Sequence, residues 1–189
     1  MVTQNQSRIG LVDPKNTDGG LRDLFEVITK SRGQNYVANV FRALGNSPGA
    51  LATVAGVGKH VRYQTEIDDQ LRELLILTVA QEINNSYEWT HHYLIAKRIG
   101  VDEKILLQIG TLELEERLGL RGDVLRFVRF VANNQAVDDK TIMSVSKQFG
   151  EEGLVDVTLL AAYYVMLGLC LNVWRVPCEV ELIPFSRAS

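Results

Sequence analysis

Residues 71–100, LRELLILTVAQEINNSYEWTHHYLIAKRIG, form two consecutive helical patterns that are separated by a pair of asparagines. Apolar residues surround nearly the whole circumference of the first pattern, which predicts a helix buried on most sides. The second pattern places Glu88 three and four residues before His91 and His92, so a carboxylate and two imidazoles share one sector of a helix. Glu73 has no cation three or four residues away, so if it is buried, its partner must come from another element.

The same helical period extends over most of the chain. Apolar residues recur at i, i+3, i+4 and i+7, and Gly, Asn and Pro separate the runs. No convincing strand alternation and no internal repeat is found, so the sequence predicts an all-α fold. We expect a flexible leader over residues 1–20 and one all-α domain over residues 21–189. Predicted helices cover about 21–33, 35–45, 48–63, 68–83, 86–99, 102–109, 123–134, 138–149 and 151–174.

Composition excludes several classes of protein. The chain has 189 residues, 46% hydrophobic content and a formal charge of −3, which is ordinary for one globular domain and gives no basic surface for nucleic acid. The N-terminus lacks the pattern of a secretory signal, so we expect a cytoplasmic protein. The apolar run 154–173 contains Asp156 and Asn172, which favours a buried core helix over a membrane span. Cys170 and Cys178 form no CxxC pair or metal-ligand cluster, so we expect reduced thiols.

The cluster on the second pattern has the groups that general acid–base catalysis needs. A carboxylate beside a histidine orients the ring, selects its tautomer and raises its basicity. We take Glu73, Glu88, His92 and His91 as candidate catalytic residues. Candidates for shaping a substrate pocket are Tyr87, Trp89 and His60.

Each candidate also has a purely structural interpretation. Asn85 followed by Glu88 matches a capping box, and Glu73 suits the first turn of a helix, where acids complement the helix dipole. One of the two adjacent histidines, and His60 as well, is expected to be structural. Adjacent histidines rarely give one ion good geometry, so we expect no metal at this cluster.

The run RELLILTVAQEINNSYEWTHHYLIAKRIGVDEKI resembles the signature region of the carboxymuconolactone decarboxylase family, which includes the AhpD-type alkylhydroperoxidases. LLAAYYVMLGLCLNVWRVP is similar to the C-terminal helix of the longer members. The resemblance implies an AhpD-like helical fold and a homo-oligomer (dimer, trimer or hexamer), commonly built on trimers. The strong hydrophobicity of residues 154–173 agrees with burial at a subunit interface.

In the peroxidase branch of this family, the motif is a glutamate, a CxxC pair and a histidine four residues after the second cysteine. The glutamate corresponds to Glu73, the cysteines to Asn85 and Glu88, and the histidine to His92. Without these thiols, thiol peroxidase activity is expected to be absent. The similarity is therefore to the cysteine-free, decarboxylase-like members.

Three functions remain open. The first is a cofactor-free lyase that decarboxylates a small carboxylate or lactone, with His92 as the acid, Glu73 or Glu88 as its partner and His91 as a reserve donor. The second is an isomerase, dehydratase or hydrolase that uses the same residues. The third is a non-catalytic oligomeric binding protein. In each case the expected partners are a small molecule and further copies of the chain, with no nucleic acid and no membrane.

Overall fold

The structure, a computed structural model, describes residues 7–33 and 35–185. Among these residues none forms a β-strand, and nine α-helices follow one another. The all-α prediction is therefore confirmed. The helices are α1 (Gly19–Ser31), α2 (Asn39–Leu44), α3 (Pro48–Tyr63), α4 (Asp69–Glu82), α5 (Ser86–Arg98), α6 (Glu103–Leu106), α7 (Leu112–Leu118), α8 (Leu120–Ala132) and α9 (Asp139–Trp174).

Two regions differ from the helices predicted from sequence. Helix α7 was not predicted, and α6 is one short turn rather than a helix over 102–109. The two predicted C-terminal helices form the single element α9, but Gly150 has φ 70° and breaks its regular geometry. Glycine tolerates this positive φ because it lacks a Cβ, so the helix axis changes at the boundary expected from the sequence.

Helix α4 lies at the centre of the fold. Ten consecutive residues, 71–80, are buried, and the helix packs against α5, α8 and α9. Its N-cap is Asp68, whose side chain accepts a hydrogen bond from the Leu71 amide. Contacts of Gln70 with Ile99 and of Ala80 with Asn85 show that α4 and α5 run side by side in opposite directions. The start of α4 is thus next to the end of α5.

The connection between α4 and α5 is tight. Asn84 adopts a left-handed conformation with φ 54°, and Asn85 follows as the N-cap of α5, its side chain accepting from the Glu88 amide at 2.9 Å. The Asn85 amide group also donates to the Gly168 carbonyl oxygen and to the Asn172 side chain of α9, both at 3.1 Å. These contacts hold the first turn of α5 against α9, which sets the direction of the side chains that follow.

A glycine allows the close approach of α3 and α9. A Cβ at Gly58 would lie 2.3 Å from the Tyr163 hydroxyl oxygen, whereas one at Gly56 would meet no atom within 4 Å. Gly58, in the segment GVGKH, therefore permits this close packing of the two helices. Because α3 lies this close to α9, the Arg62 side chain of α3 reaches the cavity beside α5.

The segments outside the helices pack on the same core. Residues 1–6 of the predicted leader lie outside the described residues. Within residues 7–20, the Arg8 amide donates to the Trp174 carbonyl oxygen, and the Val12 amide donates to the Arg42 carbonyl oxygen. At the other end, the C-terminal tail, residues 176–185, crosses α5, where the Ile183 amide donates to Thr90 Oγ1 at 3.0 Å.

By length and composition, α9 would be able to cross a membrane. Half of its most apolar window is buried within this fold. After Gly150, the exposed apolar residues of α9 lie along one side at alternating intervals of four and three, which is the spacing of a coiled-coil seam. This seam consists of Val155, Leu159, Ala162, Met166, Leu169 and Val173.

Candidate functional site

Glu73 and His92 meet between α4 and α5. The Nδ1–H of His92 donates to Glu73 Oε2 at 2.6 Å, and the side chains are 3% and 0% exposed. Glu73 has no cation three or four residues away on its own helix, and this contact with the neighbouring helix supplies a partner. Because the Nδ1 proton stays in the hydrogen bond to the carboxylate, Nε2 is the ring nitrogen that can give a proton to another molecule or take one from it.

Glu88 lies on the other side of the same ring. Its Oε2 is 3.5 Å from His92 Nε2, and its Oε1 is buried without a hydrogen-bond partner among the described residues. The capping box is only half formed. The Asn85 side chain accepts from the backbone N–H of Glu88, but the backbone N–H of Asn85 donates to the Ala80 carbonyl oxygen and not to the Glu88 carboxylate. The Glu88 carboxylate is therefore available to the ring and to any molecule beside it.

Two arginines surround this pair of acids. Arg72 Nε lies 3.6 Å from Glu73 Oε1. The two residues are adjacent in sequence, so this contact is not one of the i±3 or i±4 pairs expected on a helix. Burial raises the pKa of Glu73, but His92, Arg62 and Arg72 outweigh it and lower the pKa below 4.5. Burial lowers the pKa of Arg62, but nearby tyrosines and the Glu73 and Glu88 carboxylates outweigh it and raise the pKa above its ordinary value. Both groups are therefore ionised near neutral pH.

Beside the acids is a cavity of about 610 Å³. Glu88 and His92 form part of its wall, whereas Glu73 lies behind His92 and is absent from the lining. Nε of both Arg32 and Arg62 is buried without a hydrogen-bond partner among the described residues. Other lining side chains include Arg98, His91, Tyr87, Tyr163, Tyr164 and Leu167.

Two tyrosines, Tyr163 and Tyr164, also line this cavity. Tyr164 stands edge-on to the His92 ring, with 5.1 Å between ring centroids, and Tyr163 stands edge-on to Tyr164. Burial raises the pKa of Tyr163 to about 12 and that of Tyr164 further still. Both hydroxyls therefore stay protonated near neutral pH and are hydrogen-bond donors to the cavity side.

His91 turns to a different partner from His92. Its Nε2 lies 2.8 Å from Glu179 Oε2, and Glu179 Oε1 accepts from the Tyr87 hydroxyl at 2.9 Å and from the Asn39 amide. Burial lowers the pKa of His91, but hydrogen bonds to Cys178 and Glu179 outweigh it and raise the pKa to about 10. The adjacent histidines thus belong to two separate clusters.

Glu179 and the arginines of the cavity were not among the residues predicted from the sequence. Glu179 is 88 residues away from His91, and Arg62 lies on another helix, so no periodic pattern links them to the signature. The only available signal was compositional: Glu179 is one of two acids in the otherwise apolar segment 176–185 that follows the last helix.

Two of the proposed pocket residues lie elsewhere. Trp89 is fully buried against Tyr93 and Phe185, because one step along α5 turns it about 100° from Glu88. His60 Nε2 lies 2.8 Å from Asp156 Oδ1 on α9. Neither residue lines the 610 Å³ cavity, whereas Tyr87 and His91 do.

Comparison with known proteins tests the resemblance. The model of the carboxymuconolactone decarboxylase family matches residues 48–110, which contain α3 to α5 and all four candidate catalytic residues. This match supports a carboxymuconolactone decarboxylase/AhpD-like family assignment. No curated protein matches the chain significantly.

Solved structures show that the AhpD-like fold extends beyond that segment. An AhpD-core peroxidase-related protein from Ralstonia eutropha JMP134 has a TM-score of 0.78 at 15% identity over 96% of this chain and 97% of its own. A peroxidase-related protein from Silicibacter sp. TM1040 has 0.76 at 14% over 99% and 100%. A cysteine-to-alanine variant of the debrominase Bmp8, in complex with 2,3,4-tribromopyrrole, has 0.74 at 16% over 93% and 95%. At these identities the likeness establishes the fold alone.

Proposed function

We propose that this carboxymuconolactone decarboxylase-like protein is a lyase that decarboxylates a small carboxylate-bearing or lactone substrate by acid–base chemistry of its own side chains. The observation that carries the proposal is the buried chain Glu73–His92–Glu88, of which His92 and Glu88 line a cavity that also holds arginines. Two thiols without a disulfide agree with a reducing compartment, and the proposed location is the cytoplasm.

The charge of the cavity favours an anionic substrate. Arg32, Arg62 and Arg98 line it, and Glu88 is its one lining carboxylate among the described residues. A buried guanidinium N–H without a partner is costly, and a substrate carboxylate would satisfy it with a charge-assisted hydrogen bond. Arg62 is the stronger candidate because it lies close enough to Glu73 and Glu88 for their charges to raise its pKa.

The proton step follows from the two contacts of His92. When a substrate loses CO₂, the electron pair of the broken C–C bond moves toward a neighbouring carbonyl, and a carbon atom must then take a proton. His92 Nε2 would donate that proton, while Glu73 at Nδ1 stabilises the ring and fixes its orientation. Glu88, next to Nε2, would return a proton to the ring from solvent. Glu73 is thus a positioning residue, because it acts through His92.

Two alternatives use the same geometry. An isomerase, dehydratase or hydrolase would require the same donor and acceptor on a different substrate. A non-catalytic binding protein would require the arginines but not His92 Nε2. We propose that the protein forms a homo-oligomer through the exposed seam of α9, because this contact would cover apolar residues that include Val155, Leu169 and Val173. Such an assembly is compatible with all three functions.

The test is a panel of lactones and small carboxylic acids, screened for CO₂ release and, in parallel, for binding by calorimetry. For an active compound, His92→Ala should lower kcat by about 10²–10⁴-fold, the usual contribution of general acid catalysis. Glu66→Gln, an exposed loop carboxylate, is the control and should leave kcat unchanged. If compounds of the panel bind but none of them releases CO₂, the result would favour a non-catalytic binding protein. Wild-type kcat in His92→Ala would refute the assignment of the acid.

A further inference from the structure

A second polar cluster lies between α5 and the C-terminal tail, outside the proton-transfer chain. One ligand atom each from His91, Cys178 and Glu179 lies within 4.8 Å of the other two. The side chains of His91 and Glu179 are 13% and 17% exposed, and Cys178 is half-buried. Imidazole, thiolate and carboxylate are the three side-chain types that bind zinc in proteins.

We propose that His91, Cys178 and Glu179 form a Zn²⁺ site that joins the C-terminal tail to α5. When zinc displaces the protons of His91 and Cys178, the neutral imidazole, the thiolate and the carboxylate together carry two negative charges, which balance the charge of one divalent ion. Zinc bonds to such ligands are about 2.0–2.3 Å long, so ligand atoms around one tetrahedral ion lie about 3.2–3.8 Å apart. The observed spread requires at most small side-chain rotations to reach that geometry. Zinc accepts this mixed nitrogen, sulfur and oxygen set, whereas Mg²⁺ and Ca²⁺ prefer oxygen alone.

The surroundings support the ligands. Glu179 Oε1 accepts from the Tyr87 hydroxyl and the Asn39 amide, so the carboxylate is already held in place without an ion. Tyr87 also packs against the His91 ring, with 4.6 Å between ring centroids. Neighbours that orient ligands in this way are typical of protein metal sites.

The site has an entry path and an open coordination position. Cys178 and Tyr87 line a second cavity of about 570 Å³, while His91 lines the 610 Å³ cavity beside His92. The cluster therefore lies between the two cavities, and water can complete a fourth position. The proposal is independent of the proposed lyase activity, because His92 faces Glu73 and Glu88 rather than this cluster.

The test uses Co²⁺ as a spectroscopic substitute for Zn²⁺. Metal-free protein titrated with Co²⁺ should develop a thiolate-to-cobalt charge-transfer band, which stoichiometric Zn²⁺ then removes. Cys178→Ser should lose the band, while Cys170→Ser, which changes a half-buried thiol of α9, should keep it. His91→Ala should weaken Zn²⁺ binding by at least about 10-fold, and Tyr87→Phe by about 10-fold through the loss of its hydrogen bond to Glu179.

Circular dichroism of each variant confirms that it is folded before binding is compared. In the wild type, Zn²⁺ should also raise the Tm, and it should not do so in Cys178→Ser. The proposal is overturned if wild type gives no charge-transfer band, or if the band persists in Cys178→Ser.

Discussion

Replacing Glu73 by Gln tests the buried pair at the centre of the site. The substitution keeps the shape of the side chain and leaves an amide oxygen that still accepts from His92 Nδ1–H, but it removes the negative charge. Both side chains are almost completely buried, at 0% and 3% exposure, so solvent does little to screen the change.

The size of the effect follows from the geometry. At 2.6 Å and an effective dielectric constant of about 20, the direct attraction between two unit charges is about 6 kcal/mol. Desolvation of both groups cancels much of that attraction. The net loss should match a hydrogen bond to a charged group, about 1.5–3 kcal/mol in the free energy of unfolding. For a chain of 189 residues this corresponds to a decrease in Tm of about 3–12 °C.

The effect should depend on pH in a defined direction. The folded-state pKa of Glu73 is lowered below 4.5, so its stabilisation is fully present above about pH 4.5 and is lost as the pH falls through the folded pKa. The glutamine side chain of Glu73→Gln has no charge that could be lost as the pH falls. The difference in stability between wild type and variant should therefore shrink as the pH falls below about 4.5.

The assay is urea denaturation at one fixed protein concentration, because association would otherwise shift the apparent stability. Glu66→Gln removes an exposed carboxylate and should change the free energy of unfolding by less than about 0.5 kcal/mol. A loss in Glu73→Gln no larger than in this control would refute the reasoning. So would a difference from wild type that stays constant to about pH 3.5.

Three further predictions concern the cavity, the assembly and the missing thiols. Arg62→Met should weaken binding of small carboxylates by about 10–100-fold and leave binding of their neutral amides unchanged. Calorimetry with matched acid and amide pairs measures both affinities, and equal losses for acid and amide would show that Arg62 does not bind the carboxylate. Leu169→Glu should dissociate the homo-oligomer in sedimentation experiments, whereas Val27→Glu, equally exposed on α1, should not; a wild-type monomer would contradict the proposed interface. Peroxide consumption coupled to a dithiol should be absent because Asn85 and Glu88 occupy the CxxC positions, and turnover that requires either cysteine would contradict this.

The parts of the structure that sequence predicts well are those determined by local periodicity. The buried α4 and the caps Asp68 and Asn85 follow from apolar spacing and from residue types that favour N-caps. Helix α7 escaped prediction because its sequence, LELEERL, is short and mostly charged, so its apolar face is only weakly patterned.

Within the site, the limit of prediction is sequence distance. Glu73 and His92 lie on consecutive helices with a short connection, so their meeting was predictable once both helices were assigned. Arg62 and Glu179 approach the same helix from α3 and from the tail, and their positions depend on how the whole core packs. No local pattern encodes that packing, so these residues emerged only from the structure.

The tail that crosses α5 also determines the order in which the site can be completed during synthesis. Glu179 follows His91 by 88 residues, and at about 5–20 residues per second the ribosome needs about 4–18 s to produce the intervening chain. Helices α4 and α5, with Glu73 and His92, are therefore available to fold well before the partner of His91 exists. A protein shortened after Trp174 would keep the Glu73–His92 contact but would leave His91, Tyr87 and the Asn39 amide without their common acceptor.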